Sequence, residues 1–218
     1  HCYSLIHDDM PLMDNDTYRR GVLTTHKKFD EATALLAGNS LLTLAFELLA
    51  DKKTHPDSFV RSEIIKILAS ISGKEGLAAG QSLDLLYEKK RVLEAEILQM
   101  HYLKTARLFE FCVSAPFIMM GSSDKEMIQA KLYGKNFGLI FQATDDLLDY
   151  IGTKKKLGKS TNKDLMQNKG SILLFKDKNE VKKYCTQLAK QATNKTTIFG
   201  DKSFILNELI FSIIDRTS

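Results

Sequence analysis

Residues His7 to Gly21 read HDDMPLMDNDTYRRG, four aspartates and two adjacent arginines in fifteen residues with a proline among them. Like charges packed this closely repel unless a cation lies between them. A second acidic group, Thr144-Asp145-Asp146-Leu147-Leu148-Asp149, stands far downstream. Asp145 and Asp149 are four residues apart, so on a helix both carboxylates leave one face, one turn apart. Gln142 lies one turn earlier on that face, and Gly138 one turn before Gln142. Ile140, Leu147 and Leu148 fall elsewhere and can pack, which makes the helix largely core.

The first cluster has a geometric difficulty. Asp8 and Asp14 are six residues apart, about 240° around an unbroken helix. Pro11 removes a backbone donor and pushes Met10 out of the helical region. The helix holding Tyr3 to Asp9 therefore ends near Pro11, and the chain can wrap round to bring Asp14 beside Asp8. Aspartates at a helix C-terminus oppose its dipole, so something cationic must compensate.

Neither cluster contains cysteine, which disfavours a soft metal. Aspartate ligation suits Mg²⁺ or Ca²⁺. An EF-hand loop starting at Asp14 fails, because Tyr18 and Arg19 occupy a ligand position and the obligatory glycine. Mg²⁺ takes one or two carboxylates and completes its shell with water and substrate phosphates. Arg19 and Arg20 follow the first cluster, and Lys104 and Lys159 stand near other candidate residues. Arginine's fork suits phosphate recognition. No GxxxxGK[ST] loop occurs, so a nucleotide is not implied.

Only three prolines and twelve glycines punctuate 218 residues, which argues for long helices. Apolar residues recur at helical steps over Glu31 to Ala50, with Leu35, Leu42, Ala45 and Leu49 on one face. Phe59, Glu63, Ile67 and Ile71 continue the pattern to Gly73. A helix from about Glu75 to Lys89 carries Gly80, Gln81 and Asp84. Val92 to Met120 reads as one long helix bent at Pro116. Ser123 with Glu126 is a capping box opening a helix to about Tyr150, and Asp177 with Glu180 opens another. Phe204 to Arg216 is the last. Lys154 to Gly170 reads as a loop. Strand-period alternation, repeats and linkers are absent, so the expectation is a single all-α domain over residues 1–218.

The net charge of +4 is spread, with no basic arm for nucleic acid. Three scattered cysteines, Cys2, Cys112 and Cys185, form neither a disulfide framework nor a zinc site. A reducing cytoplasm is the expected setting. The chain opens on HCYSLI, which resembles the middle of a buried helix rather than a signal peptide, so upstream helices are expected to precede it. No apolar run of membrane-spanning length is apparent.

DDMPLMD and DDLLD together resemble the two aspartate-rich motifs of the trans-isoprenyl diphosphate synthase (polyprenyl synthetase) family. YSLIHDD, MDND, RRG, TTHK, AGQSLDL, KTA and FQATDD follow in the family's order and spacing. The four-residue spacer with Pro11 is similar to the bacterial farnesyl diphosphate synthase branch. The resemblance implies antiparallel helices around a central apolar cavity. It implies three Mg²⁺ ions bridging Asp8, Asp14 and Asp145 to an allylic diphosphate, with Asp9 and Asp149 assisting. Arg19, Lys104 and Lys159 would hold that diphosphate, and His1 and Arg20 isopentenyl diphosphate. Lys104, Thr105 and Gln142 would stabilise the allylic cation, and Tyr3 and Ser4 would bear on chain length. The implied reaction is head-to-tail condensation of isopentenyl diphosphate with dimethylallyl or geranyl diphosphate to farnesyl diphosphate, by a homodimer. Alternatives are a geranylgeranyl product or a non-catalytic partner subunit of the same fold. A metal phosphohydrolase built on His7-Asp8 leaves DDLLD unexplained.

The chain departs from the family pattern at Gly38-Asn39, where the family has Gly-Asp. It departs again in the loop GKSTNKD…KGSIL, which keeps Lys159, Asp164 and Lys169 but loses a glycine. A Gly-Lys-x-x-Arg segment upstream of the first motif is not among these residues. Tyr3 lies five residues before Asp8, about 7.5 Å along the helix. Tyr3→Ala is expected to lengthen the product, read by chromatography of the chains formed; an unchanged distribution would count against this role.

Overall fold

The computed structural model describes residues 1–88, 90–157 and 170–216. The chain is almost wholly α-helical and groups into two compact units, His1–Lys66 and Ile67–Ser218. In the first unit α1 (Cys2–Asp8) is followed by two strands, β1 (Tyr18–Arg19) and β2 (Val22–Leu23), a short α2 (Thr25–Lys28) and α3 (Glu31–Ala50). The strands pair antiparallel, with Tyr18 opposite Leu23 and Arg19 opposite Val22. Arg20 and Gly21 join them with φ of 52° and 79°, the positive-φ pair of a tight hairpin turn. Strands of two residues leave no alternation for a sequence reading to find.

The Asp30 carboxylate accepts the Thr33 N–H at 2.7 Å and caps α3. The bounds of α3 are those its periodicity predicts, but its buried face is not. Leu35 is exposed, while Ala34 and Gly38 are buried. Packing against α1 explains the shift. The His7 ring lies so close that a Cβ on Gly38 would come within 2.0 Å of its Nε2. His7 Nε2 is also 3.2 Å from the Leu35 carbonyl. Against the expectation that no apolar run reaches membrane-spanning length, α3 has the length and composition of a span, with a mean hydropathy of 1.5 over 18 of its 20 residues.

Helix α4 (Ser58–Ser72) crosses the boundary between the units. The second unit continues with α5 (Leu77–Tyr87), α6 (Glu94–His101), a π-helical turn (Tyr102–Ala106), α7 (Arg107–Met119), α8 (Asp124–Leu157), α9 (Lys178–Thr193) and α10 (Ser203–Ile214). Two 3₁₀ turns, Ile172–Leu174 and Thr196–Phe199, precede α9 and α10 respectively. Both capping boxes form: Glu126 accepts the Ser123 N–H at 2.8 Å, and Glu180 accepts that of Asp177 at 2.8 Å. Helix α8 runs past Tyr150 to Leu157, since Gly152 alone costs a helix only about 1 kcal/mol.

The core of this unit is one face of α8 against α9 and α10. Tyr133, Ile140, Ala143 and Leu147 meet Val181, Cys185, Ala189 and Ala192, with Ile210 and Ile213. The polar groups on this face are satisfied by carbonyls: Gln129 Nε2 donates to Ala192 at 2.6 Å, Asn136 Nδ2 to Leu188 at 3.1 Å, and Tyr133 OH to Leu206 at 2.7 Å. Paired this way, they incur little burial penalty.

The expected long helix over Val92 to Met120 runs without a gap from Glu94 to Met119, with Pro116 inside α7. The irregularity is the π turn carrying Lys104 and Thr105. Glycines bring other helices onto it. A Cβ on Gly80 of α5 would lie 2.2 Å from the Lys104 backbone nitrogen, and one on Gly138 of α8 would lie 2.4 Å from the Ala106 Cα. Backbone cannot yield as a flexible side chain would. Gly80→Ala is therefore expected to lower the unfolding free energy by about 1–3 kcal/mol despite alanine's better helix propensity. Urea titration of the full-length protein checks this, and an unchanged midpoint would contradict the close approach.

Candidate active site

In the first unit the chain turns back at Pro11. The Asp14 N–H donates to the Asp8 carbonyl at 2.9 Å, Asn15 to Met10 at 3.1 Å and Asp16 to Asp9 at 3.2 Å. These bonds satisfy carbonyls that the end of α1 would otherwise leave open, and they set Asp8 and Asp14 on one turn despite their six-residue separation. Arg19 compensates part of this charge, that of Asp9 and Asp16. Its Nε donates to Asp9 Oδ1 at 2.6 Å, and its Nη2 lies 2.5 Å from the same oxygen and 3.4 Å from Asp16. The bond to Asp9 raises the Arg19 pKa further against the opposing effect of burial. The Asp9 side chain is 5% exposed. Removing the guanidinium would leave a buried charge, a loss on the order of 3–5 kcal/mol.

The hairpin turn leaves Arg20 exposed. Thr24, buried behind it, donates its hydroxyl to the Asp16 carbonyl at 2.7 Å and ties the hairpin to the acidic turn. His1 is exposed at the start of α1, and the Ser4 hydroxyl donates to its carbonyl at 2.9 Å. Tyr3 is half-buried and meets the His7 ring edge-on at 6.0 Å.

In the second unit the π turn presents Lys104 and Thr105. Lys104 Nζ lies 2.5 Å from Asp84 Oδ2 of α5. The Thr105 hydroxyl donates to Gln142 Oε1 at 2.6 Å. Gln142 Nε2 donates to Asp146 Oδ1 at 3.0 Å. The other oxygen of Asp146 accepts the Ser171 hydroxyl and the Ile172 N–H, both at 2.9 Å. His101 Nε2, buried and otherwise without a hydrogen-bond partner, is 3.5 Å from it. Sequence spacing singles out Asp145 and Asp149 and passes over Asp146. Its signal was the four-residue step from Gln142.

Asp145 pairs with Arg216 near the end of α10. The same guanidinium donates to the Phe141 carbonyl at 2.9 Å and the Thr144 hydroxyl at 3.1 Å, and lies 4.1 Å over the Phe141 ring. Burial raises the Asp145 pKa above the usual carboxylate range; Arg216 opposes this, while Asp149 and Asp146 add to it. Arg216 carries no motif that could have announced it. Lys159, with Asp164 and Lys169, lies outside the described residues.

The donors available to a metal are carboxylate oxygens, which suit a hard cation. Among the described residues no three histidine, cysteine or acidic side chains converge on one point. Each cluster taken by itself thus fits a cation such as Mg²⁺ that takes one or two carboxylates and the rest of its shell from water or phosphate.

Residues 1–208 match the model of the family described as polyprenyl synthetase. A farnesyl diphosphate synthase of Micrococcus luteus is 42% identical over 173 residues, 79% of this chain and 59% of that protein. The chain thus spans about three-fifths of that relative's length. An FPP/GFPP synthase from Zymomonas mobilis superimposes with a TM-score of 0.86 at 39% identity, over 98% of this chain and 72% of the other. A Helicobacter pylori geranyltransferase, solved with magnesium and isoprenyl diphosphate, superimposes with a TM-score of 0.80 at 32% identity, over 99% and 70%.

Proposed function

The chain belongs to the polyprenyl synthetase family, and from that premise we propose that the whole protein condenses isopentenyl diphosphate with an allylic diphosphate, dimethylallyl or geranyl, to give farnesyl diphosphate. One observation carries this reading: a Pro11 turn that sets Asp8 and Asp14 together by a 2.9 Å backbone bond, in a chain whose second acidic motif also sits on a packed helix. The relatives named farnesyl diphosphate synthase and FPP/GFPP synthase support the product class.

The cofactor would be Mg²⁺, three ions, for which Asp8, Asp14 and Asp145 would supply ligands, with Asp9 and Asp149 assisting; the geranyltransferase solved with magnesium supports the choice of metal. When bound, the metal neutralises charge on the departing diphosphate. The chain's own cations do related work. Arg19, Lys104 and Lys159 hold the allylic diphosphate, and His1 and Arg20 hold isopentenyl diphosphate. The bond from the allylic carbon to its diphosphate oxygen breaks, and the electron pair leaves with the diphosphate. The Thr105 hydroxyl, the Gln142 carbonyl and the Lys104 carbonyl stabilise the positive charge left on carbon. The double bond of isopentenyl diphosphate attacks that carbon, and the proton it then sheds goes to the released diphosphate. Apolar side chains around the reacting carbon would exclude water from the cation. Tyr3 and Ser4 limit the length of the product.

The two units act as one synthase domain in a homodimer. Leu36, Leu44 and Leu48 of α3 are exposed, and a second copy of the chain covers them. Free cysteines suit a reducing cytoplasm.

The full-length protein, given isopentenyl and geranyl diphosphates with Mg²⁺, is expected to form farnesyl diphosphate. Asp8→Asn and Asp145→Asn should each lower kcat by on the order of 10²–10³-fold. A folded protein that forms no condensation product would overturn the reading in favour of a non-catalytic partner subunit.

A further inference from the structure

Asp146 stands inside the second acidic motif but faces inward, its side chain 8% exposed. Three donors already converge on it. Gln142 Nε2 reaches one oxygen, and the Ser171 hydroxyl and the Ile172 N–H reach the other. Ser171 accepts the Leu173 N–H on its own oxygen at 3.2 Å, so its hydroxyl hydrogen is directed at Asp146. The Ile172 N–H can only donate. These neighbours give Asp146 the bonding pattern of a carboxylate that accepts on both sides, with its lone pairs directed at protein donors.

That pattern fixes the orientation of Gln142. An amide has a donating and an accepting end. Facing a carboxylate it must turn its NH₂ to Asp146, which leaves Oε1 toward Thr105, as found at 2.6 Å. We propose that Asp146 is a positioning residue, not a metal ligand: it sets the polarity of the Gln142 amide so that a carbonyl oxygen lies beside Thr105 at the reacting carbon. The inference rests on the condensation reading for the meaning of that oxygen. The same carboxylate anchors Ser171 and Ile172, so the amide polarity and the start of the Ile172–Leu174 turn depend on one side chain.

The substitution Asp146→Asn tests the polarity directly. The Oδ1 of the introduced amide must face the Ile172 N–H, so its NH₂ faces Gln142 and forces the Gln142 amide to reverse. An NH₂ group would then lie where the carbonyl was, repelling positive charge. Adding Gln142→Glu repairs this: the new carboxylate accepts from the introduced amide and again presents an oxygen to Thr105. The pair Asp146→Asn with Gln142→Glu exchanges the two functional groups while conserving atom count, charge and hydrogen bonds.

The experiment compares four full-length proteins: wild type, Asp146→Asn, Gln142→Glu and the double variant. Asp146→Asn is expected to lower kcat by about 10- to 100-fold, with KM for both diphosphates and the Mg²⁺ requirement changed by less than about twofold. The double variant should recover most of the loss. The Gln142 side-chain amide resonance, assigned by its absence in Gln142→Glu, should show one exchange-protected proton in wild type and lose that protection in Asp146→Asn. A weakened Mg²⁺ requirement in Asp146→Asn, or no rescue in the double variant, would overturn the proposal. If wild type performs no condensation, the activity reading fails by itself, and the resonance still decides whether Asp146 orients Gln142; an unchanged signal would refute it.

Discussion

Asp9 is buried, and Arg19 meets it with two guanidinium nitrogens. The same constraint recurs at other partly or fully buried carboxylates among the described residues, because an uncompensated buried charge is among the costliest groups a fold can carry. Lys104 answers Asp84, Arg216 answers Asp145, and three hydrogen-bond donors answer Asp146. Much of the local architecture follows from these pairings. The hairpin delivers Arg19, the end of α10 delivers Arg216, and the 3₁₀ turn after Gly170 delivers the Ile172 N–H. The cations that neutralise these acidic groups include the ones to which the functional reading gives diphosphate.

A second constraint governs where the uncharged groups of the site stand. Thr105 reaches Gln142 because the π turn bulges toward α8, and α8 comes close enough because Gly138 carries no side chain. Gly80 admits the turn from the side of α5. A π turn exchanges regular helix bonding for a shifted set of side chains, which is why such turns recur at functional positions. Here it aims two consecutive residues, one at a carboxylate and one at an amide.

The sequence makes the acidic turn and α8 legible for different reasons. Pro11 between Asp8 and Asp14 is a local steric signal, and the wrap it demands is present as a backbone bond. Capping boxes at Ser123 and Asp177 are equally local and mark helix starts to within a residue. What escaped reading depends on tertiary contact. Nothing in the residues near Lys104 distinguishes a π turn from ordinary helix; the glycines that permit it lie on other helices. Leu35 has the right period to be buried, but the close approach of His7 turns Ala34 and Gly38 inward instead. Arg216 finds Asp145 across 71 residues, and no spacing rule relates them. Helical periodicity groups Asp145 with Asp149 and passes over Asp146, whose partners Ser171 and Ile172 lie 25 and 26 residues further on.

The central claim is that both acidic clusters serve one metal–diphosphate assembly. Manganese, a paramagnetic substitute for magnesium, reports this directly when titrated by electron spin resonance into the full-length protein with and without inorganic diphosphate. The account predicts that diphosphate strengthens Mn²⁺ binding, and that Asp8→Asn and Asp145→Asn each weaken that enhancement. It would be contradicted by Mn²⁺ binding indifferent to diphosphate, or by an enhancement that only one of the two substitutions affects.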